Sequence, residues 1–344
     1  MPYIRGWLAA IPLAISIAII ASPQSQQPAA RDFLKKYLGF TDAEITSLDG
    51  GQLITKLPKV TDQREVAAYA VVRVNAPPEQ LAVQFNDIVR WKKGESVPQI
   101  GKFSDTPTIA DLNGLTIEPD DIKVLKKCKP GSCGIKLSSG SMEYLAKGTN
   151  WTAVNYHGQA ETLFKHMLSD YAGSYLTGGN RVLVQYDDQK QPLKLAEDFS
   201  ALLKESTYVN EYAPQLANYI DKFPAVQLPG STSYIYWSKE QFGIQPVMSM
   251  THVTIYPRKH GSGNETIIAS KQIYASHYFE SSLAFTMMLP REGGGSYLLY
   301  LNRSRSDTLR GFFSGITRMF ISGHVRDGAA KGLQQAKMRL EAGS

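Results

Sequence analysis

The chain has 344 residues, 43% of them hydrophobic and 20% charged, with 28 Gly and 18 Pro. That composition excludes collagen-like, coiled-coil and wholly disordered architectures, and the length permits one large domain or two of ordinary size. The net charge of +6 comes from 37 Lys and Arg against 31 Asp and Glu. These charges are interspersed along the chain, so no arm for nucleic acid is visible and none is expected as a partner.

At the N-terminus, Arg5 precedes an apolar run from Gly6 to Ala21. The run is close to the roughly 15 residues of a signal-peptide core and short of the ~20 that span a bilayer. Small and polar residues follow, from Ser22 to Gln27. Residues 1–28 are therefore expected to be a secretory signal and linker, cleaved near Ala21 to Ala30, with an uncleaved single-helix anchor as the alternative. The protein is expected to be exported, to the periplasm or beyond. Residues 29–342 then form one domain.

Ala29 to Leu38 predicts a short helix stopped by Gly39, and Thr41-x-x-Glu44 has the form of a capping box that opens a second. Gln52 to Leu57 and Glu65 to Val74 read as strands. Asn75-Ala-Pro-Pro78 breaks the second, and Leu81, Phe85, Ile88 and Val89 then recur at helical spacing. Gly94 to Thr116 has the texture of a loop. Pro119 to Lys127, Ser141 to Lys147, Gln159 to Thr177, Lys194 to Lys204 and Tyr212 to Lys222 predict helices, with a brief strand at Arg181 to Tyr186. Beyond Pro229-Gly230 come strands at Ser233–Trp237, Val247–Tyr256, Thr266–His277, Ser281–Leu289 and Tyr297–Asn302, separated by Gly- and Pro-rich turns. A long helix from about Leu309 to Glu341 closes the chain, with Ile316, Phe320, Val325, Ala329, Leu333 and Leu340 on its apolar stripe.

The only two cysteines lie in Cys128-Lys-Pro-Gly-Ser-Cys133. In an exported protein a close pair around a Pro-Gly turn predicts a local disulfide clip. The spacing fits neither a thioredoxin-type redox pair nor a zinc site, so no metal is expected.

This order of elements predicts an α+β fold: a curved antiparallel sheet gripping the long C-terminal helix, with a largely helical insertion at about 94–228. The stretches EVAAYAVVRVNAPPEQLAVQF (Glu65 to Phe85) and Met248 to Leu340, the latter ending in YLLYLNRSRSDTLRGFFSGITRMFISGHVRDGAAKGLQQAKMRLE, resemble the helix-grip fold of the START-like superfamily. That superfamily includes lipid-transfer domains, aromatic polyketide cyclases and a major birch-pollen allergen. The resemblance implies a hydrophobic cavity between sheet and helix for a lipid or other large apolar small molecule, with transient membrane contact as an option and no cofactor. The fold alone does not choose between carrier and catalyst; an exported, non-catalytic binding protein for such a ligand is the first expectation, with an enzyme or an envelope scaffold as the alternatives.

Nucleophile elbows, phosphate-binding loops and His-Glu-x-x-His motifs are absent from the sequence. Ligand contacts are assigned to Tyr236, Met250, His252, Tyr274, Tyr278 and Arg303, although a strand Tyr is more often plain packing and Arg303, with Arg305 and Asp307, more often a salt-bridged corner. An enzyme of cyclase or hydrolase type would use His252 or His277 as general acid/base with Tyr274 polarising the substrate. A hairpin centred near Gly261 would pair His252 with about Ser270 and, barring a bulge, put the two histidines on opposite faces. Lys271 reads as either a cavity charge or, more commonly, a snorkelling surface lysine.

Overall fold

The computed structural model describes residues 30–241, 245–261, 263–310 and 314–343. The N-terminal segment assigned to export lies outside the described residues, as do the side chains of Ile316 and Phe320. Helices α1 (Ala30–Leu38) and α2 (Asp42–Asp49) come first. At the start of α2 the Thr41 hydroxyl accepts the Glu44 N–H at 3.2 Å while the Glu44 carboxylate accepts the Thr41 N–H at 2.8 Å, which satisfies two otherwise orphaned donors. Strands β1 (Ile54–Lys56) and β2 (Glu65–Val74) follow, then α3 (Glu79–Asn86) and α4 (Ile88–Lys92).

The middle of the chain contributes β3 (Gln99–Lys102), α5 (Pro119–Leu125), α6 (Ser139–Gly148), α7 (Tyr156–Gly178), β4 (Gln185–Tyr186), β5 (Leu193–Lys194), α8 (Leu195–Glu205), α9 (Thr207–Tyr212) and α10 (Pro214–Lys222). Five long strands then run as a meander: β6 (Thr232–Gln241), β7 (Pro246–His260), β8 (Gly263–Ala275), β9 (Phe279–Pro290) and β10 (Ser296–Ser306). Helix α11 (Ser314–Ala342) ends the chain.

All strands but β4 and β5 join one antiparallel sheet in the order β1-β2-β10-β9-β8-β7-β6-β3. The first long strand therefore lies beside the last, with Ala70 opposite Tyr300 and Ala68 opposite Asn302. The class is α+β, as expected. Helices cover both faces of the sheet. On one, Val72, Leu298, Met288, Ile268 and Val253 pack against Leu81 and Phe85 of α3 and against Ala329, Leu333 and Leu340 of α11. On the other, α1, α2 and α8–α10 cover Leu283, Phe285 and Leu299, while α5–α7 cover Trp237, Met250 and Ile273.

Several sequence expectations change. Gly94 to Thr116 is not all loop, because Gln99–Lys102 forms an edge strand on β6. Gly101 permits that pairing: a Cβ there would stand 2.7 Å from the Trp237 indole. Arg181 to Tyr186 is a 3₁₀ turn followed by a two-residue strand. His277 lies beyond the end of β8, in a corner where Tyr278 adopts φ 57°. The β7–β8 hairpin closes with His260 opposite Gly263, so His252 pairs with Lys271 instead of Ser270, and a bulge lies beyond that pair between Met250 and Thr251.

Candidate functional site

Strand side chains alternate between faces, so the residues sharing the α11 side can be followed across the register. One row there is polar from β10 to β6. Ser304 stands opposite Ser282, Gln272 opposite Thr251, and Thr251 opposite Tyr236. Ser249 and Ser238, also paired, extend it. Ser282, Ser304 and Gln272 are half-buried, and Thr251 and Ser249 are buried. The Ser282 and Ser304 hydroxyls lie 2.8 Å apart, the Ser304 hydroxyl donates to Asn302 Oδ1 at 2.9 Å, and Asn302 Nδ2 donates to Ser282 at 3.3 Å.

At the far end of the row, α4 delivers Lys92. Its ammonium donates to the Tyr236 hydroxyl and to Glu240 Oε1, both at 3.0 Å, and the Ser238 hydroxyl donates to the same carboxylate oxygen at 2.6 Å. Burial works against the Lys92 charge, but Glu240 and Tyr236 together more than offset it and hold the ammonium above its usual pKa. On the same face burial raises the Tyr300 phenol to about 12. The band thus offers hydroxyls, amides, neutral phenols and one balanced ion pair. It can hydrogen-bond an uncharged polar group, and besides the Lys92–Glu240 pair Lys102 stands at its β3 end, 4.2 Å over the Tyr234 ring.

Of the six residues assigned to ligand contact, Tyr236 lies on this band. Met250 packs in the α5–α7 core on the opposite face. Tyr274 is there as well, its hydroxyl donating to the Lys136 carbonyl at 3.0 Å. His252 is buried on that face too, with Nδ1 3.0 Å from the Tyr175 hydroxyl and its ring 4.4 Å from that of Phe223. Tyr278 occupies the corner, its hydroxyl accepting the Gln245 N–H at 3.2 Å. Arg303 is held by Glu65 and, at 3.0 Å, by Glu205, beside an Arg305–Asp198 pair also at 3.0 Å. The salt-bridged corner is therefore what forms, although Asp307 pairs with Lys136 at 2.6 Å instead.

The histidines do not lie on opposite faces. His277 Nε2 sits 3.2 Å from the Asp121 carboxylate of α5, on the side where His252 meets α7. Burial lowers the His252 pKa to about 3, with Lys271 contributing in the same direction. Lys271 is not a snorkelling lysine. It is 2% exposed, donates to the Tyr175 hydroxyl at 3.2 Å and to Asn180 Oδ1, and places its Nζ 3.9 Å from the centre of the Phe199 ring. Burial pulls its pKa well below the usual value. Among the described residues no cluster of His, Cys, Asp and Glu could hold a metal.

Cys128 and Cys133 form the expected disulfide, with Cα atoms 4.5 Å apart. Its loop also docks elsewhere: the Gly131 N–H donates to the Asp187 carbonyl at 2.7 Å and the Cys133 N–H to the Asp188 carbonyl at 3.0 Å.

Lys92 and the polar row were missed by sequence reasoning. The signal available was period-2 placement of uncharged polar residues, as at Ser282 and Ser304, but only the register joins them into a band. No protein-family model matches the chain, and no curated protein matches it.

Proposed function

We propose that the protein is an exported, helix-grip binding protein that holds an amphipathic, lipid-like ligand on the sheet face covered by α11. The observation that carries this is the polar row crossing five strands, at one end of a face whose other end packs Val72, Leu298 and Met288 against helices. A face built only for core packing has no use for Ser304, Ser282, Gln272, Thr251 and Tyr236 in line, since each buried polar group costs free energy unless partnered. Further along the same face Val72, Met288, Ile268 and Phe85 suit a hydrocarbon body, and the row suits a hydrogen-bonding polar end. The first-beside-last strand order and the terminal helix on the same face support the helix-grip assignment. The disulfide is compatible with an oxidising, exported setting. Among the described residues no helix is long and apolar enough to cross a membrane. A carrier is favoured over a cyclase-type enzyme because His252, His277 and Tyr274 all turn away from this face.

Native mass spectrometry and organic extraction of protein from its own compartment test the proposal. A co-purifying amphipathic molecule, displaced by Ser282→Trp or Thr251→Trp, is the expected result. Protein free of any such molecule, and indifferent to fluorescent fatty-acid and phospholipid probes, would overturn it.

A further inference from the structure

On the opposite face, α6, α7 and the segment Val182–Gln185 enclose a cleft of about 270 Å³ with Tyr274 at its base. We propose that this cleft is a separate binding site for a small, uncharged molecule with an apolar body and one carbonyl or hydroxyl oxygen. The argument uses none of the residues of the α11 face and stands whether or not that face binds a ligand.

The size comes first. A cavity of about 150 Å³ accepts benzene, so this one has room for roughly ten non-hydrogen atoms. Leu137, Met167, Leu168 and Leu183 give it an apolar wall, and none of its lining side chains among the described residues carries a charge. Its two tyrosines present rings, because their hydroxyls are engaged: Tyr171 donates to the Ile273 carbonyl at 2.8 Å and accepts the Val184 N–H at 3.2 Å, and Tyr274 donates to Lys136. Burial raises both phenols above their usual pKa, so neither becomes a phenolate near neutral pH. An anion or cation would enter without a countercharge.

Inside the mouth, where Gln185 stands, one polar group remains available. The Ser138 and Ser141 hydroxyls line the cleft and lie 2.9 Å apart. Ser138 also accepts the Ser141 N–H at 3.1 Å. The pair has two hydroxyl hydrogens and its mutual bond uses one, which leaves one donor for a ligand oxygen. The cleft is also preformed. Its outer segment is fixed by the Val184–Tyr171 bond, by the β4–β5 pairing and by the Asp187 N–H donating to the Leu137 carbonyl at 2.8 Å. Half-buried Met167 and exposed Val182 and Gln185 stand at the mouth.

Calorimetric titration of the full chain with 2-nonanone, nonanoate and nonylammonium is the test. Saturable binding of the ketone below about 1 mM, at least tenfold tighter than either charged probe, is expected. Met167→Trp should weaken ketone binding at least tenfold while leaving the thermal transition in place. Leu168→Trp should do the same, but its fully buried position makes Met167→Trp the deciding variant. Ketone binding unaffected by Met167→Trp, equal binding of a charged probe, or no binding of the ketone would each overturn the proposal.

Discussion

His252 and Lys271 are two bases buried on adjacent strands around one phenol, and their shifts have a definite sign. Burial lowers the His252 pKa from 6.5 to about 3, so the folded protein refuses a proton that the unfolded chain accepts in between. Stability from this group is complete above about pH 6.5 and is lost as pH falls toward 3. Between pH 7 and pH 5 the loss is about 2 kcal/mol. Lys271 works in the same direction from a higher starting point, because its folded pKa is also depressed. Urea melts at the two pH values should show that His252→Gln removes about 2 kcal/mol of this pH dependence. An unchanged difference would mean that the imidazole is hydrated. Neither Tyr175 nor Asn180 could be named as a partner in advance, since they come from α7 and the turn behind it, 77 and 91 residues away from the strand residues they meet.

At the level of elements, short-range signals were the legible ones. The capping box at Thr41, the Pro-led α3 and the disulfide loop each depend on neighbours within a few residues. The loop's contribution can be checked. Closing so short a ring stabilises the folded state by about 2 kcal/mol, so Cys128→Ser with Cys133→Ser should lower stability by that amount in denaturant melts. Because Gly131 and Cys133 also hold Asp187 and Asp188, amide exchange should quicken at Val184–Asp188 in the same variant. What failed was everything decided by a distant partner. The edge strand Gln99–Lys102 has the composition of a loop and becomes a strand only because β6 is beside it. The facing of His277 could not be read by alternation, because that residue lies in the corner beyond the end of β8. Eight of the ten residues of β2 are apolar, with little alternation, because nearly all are buried, helices lying on both sides of the sheet.

For the whole molecule, the decisive pairing is β2 with β10. Glu65 meets Arg305 across 240 residues (305 − 65), and only 48 residues (344 − 296) follow Ser296. A chain ending at Pro290 would lack β10 and α11, leaving β2 and β9 as unpaired edges and the apolar faces of α3 and Val72 uncovered. It should show no cooperative unfolding transition and should be cut by protease throughout β6–β9; a protease-resistant core of full cooperativity would show that the meander folds alone. The seam between the beginning and the end of the chain also orders events in time. Until the last strand has emerged from the ribosome, or from a translocation channel, the sheet cannot close. The polypeptide therefore stays threadable until β10 has been made, and becomes a folded body only then.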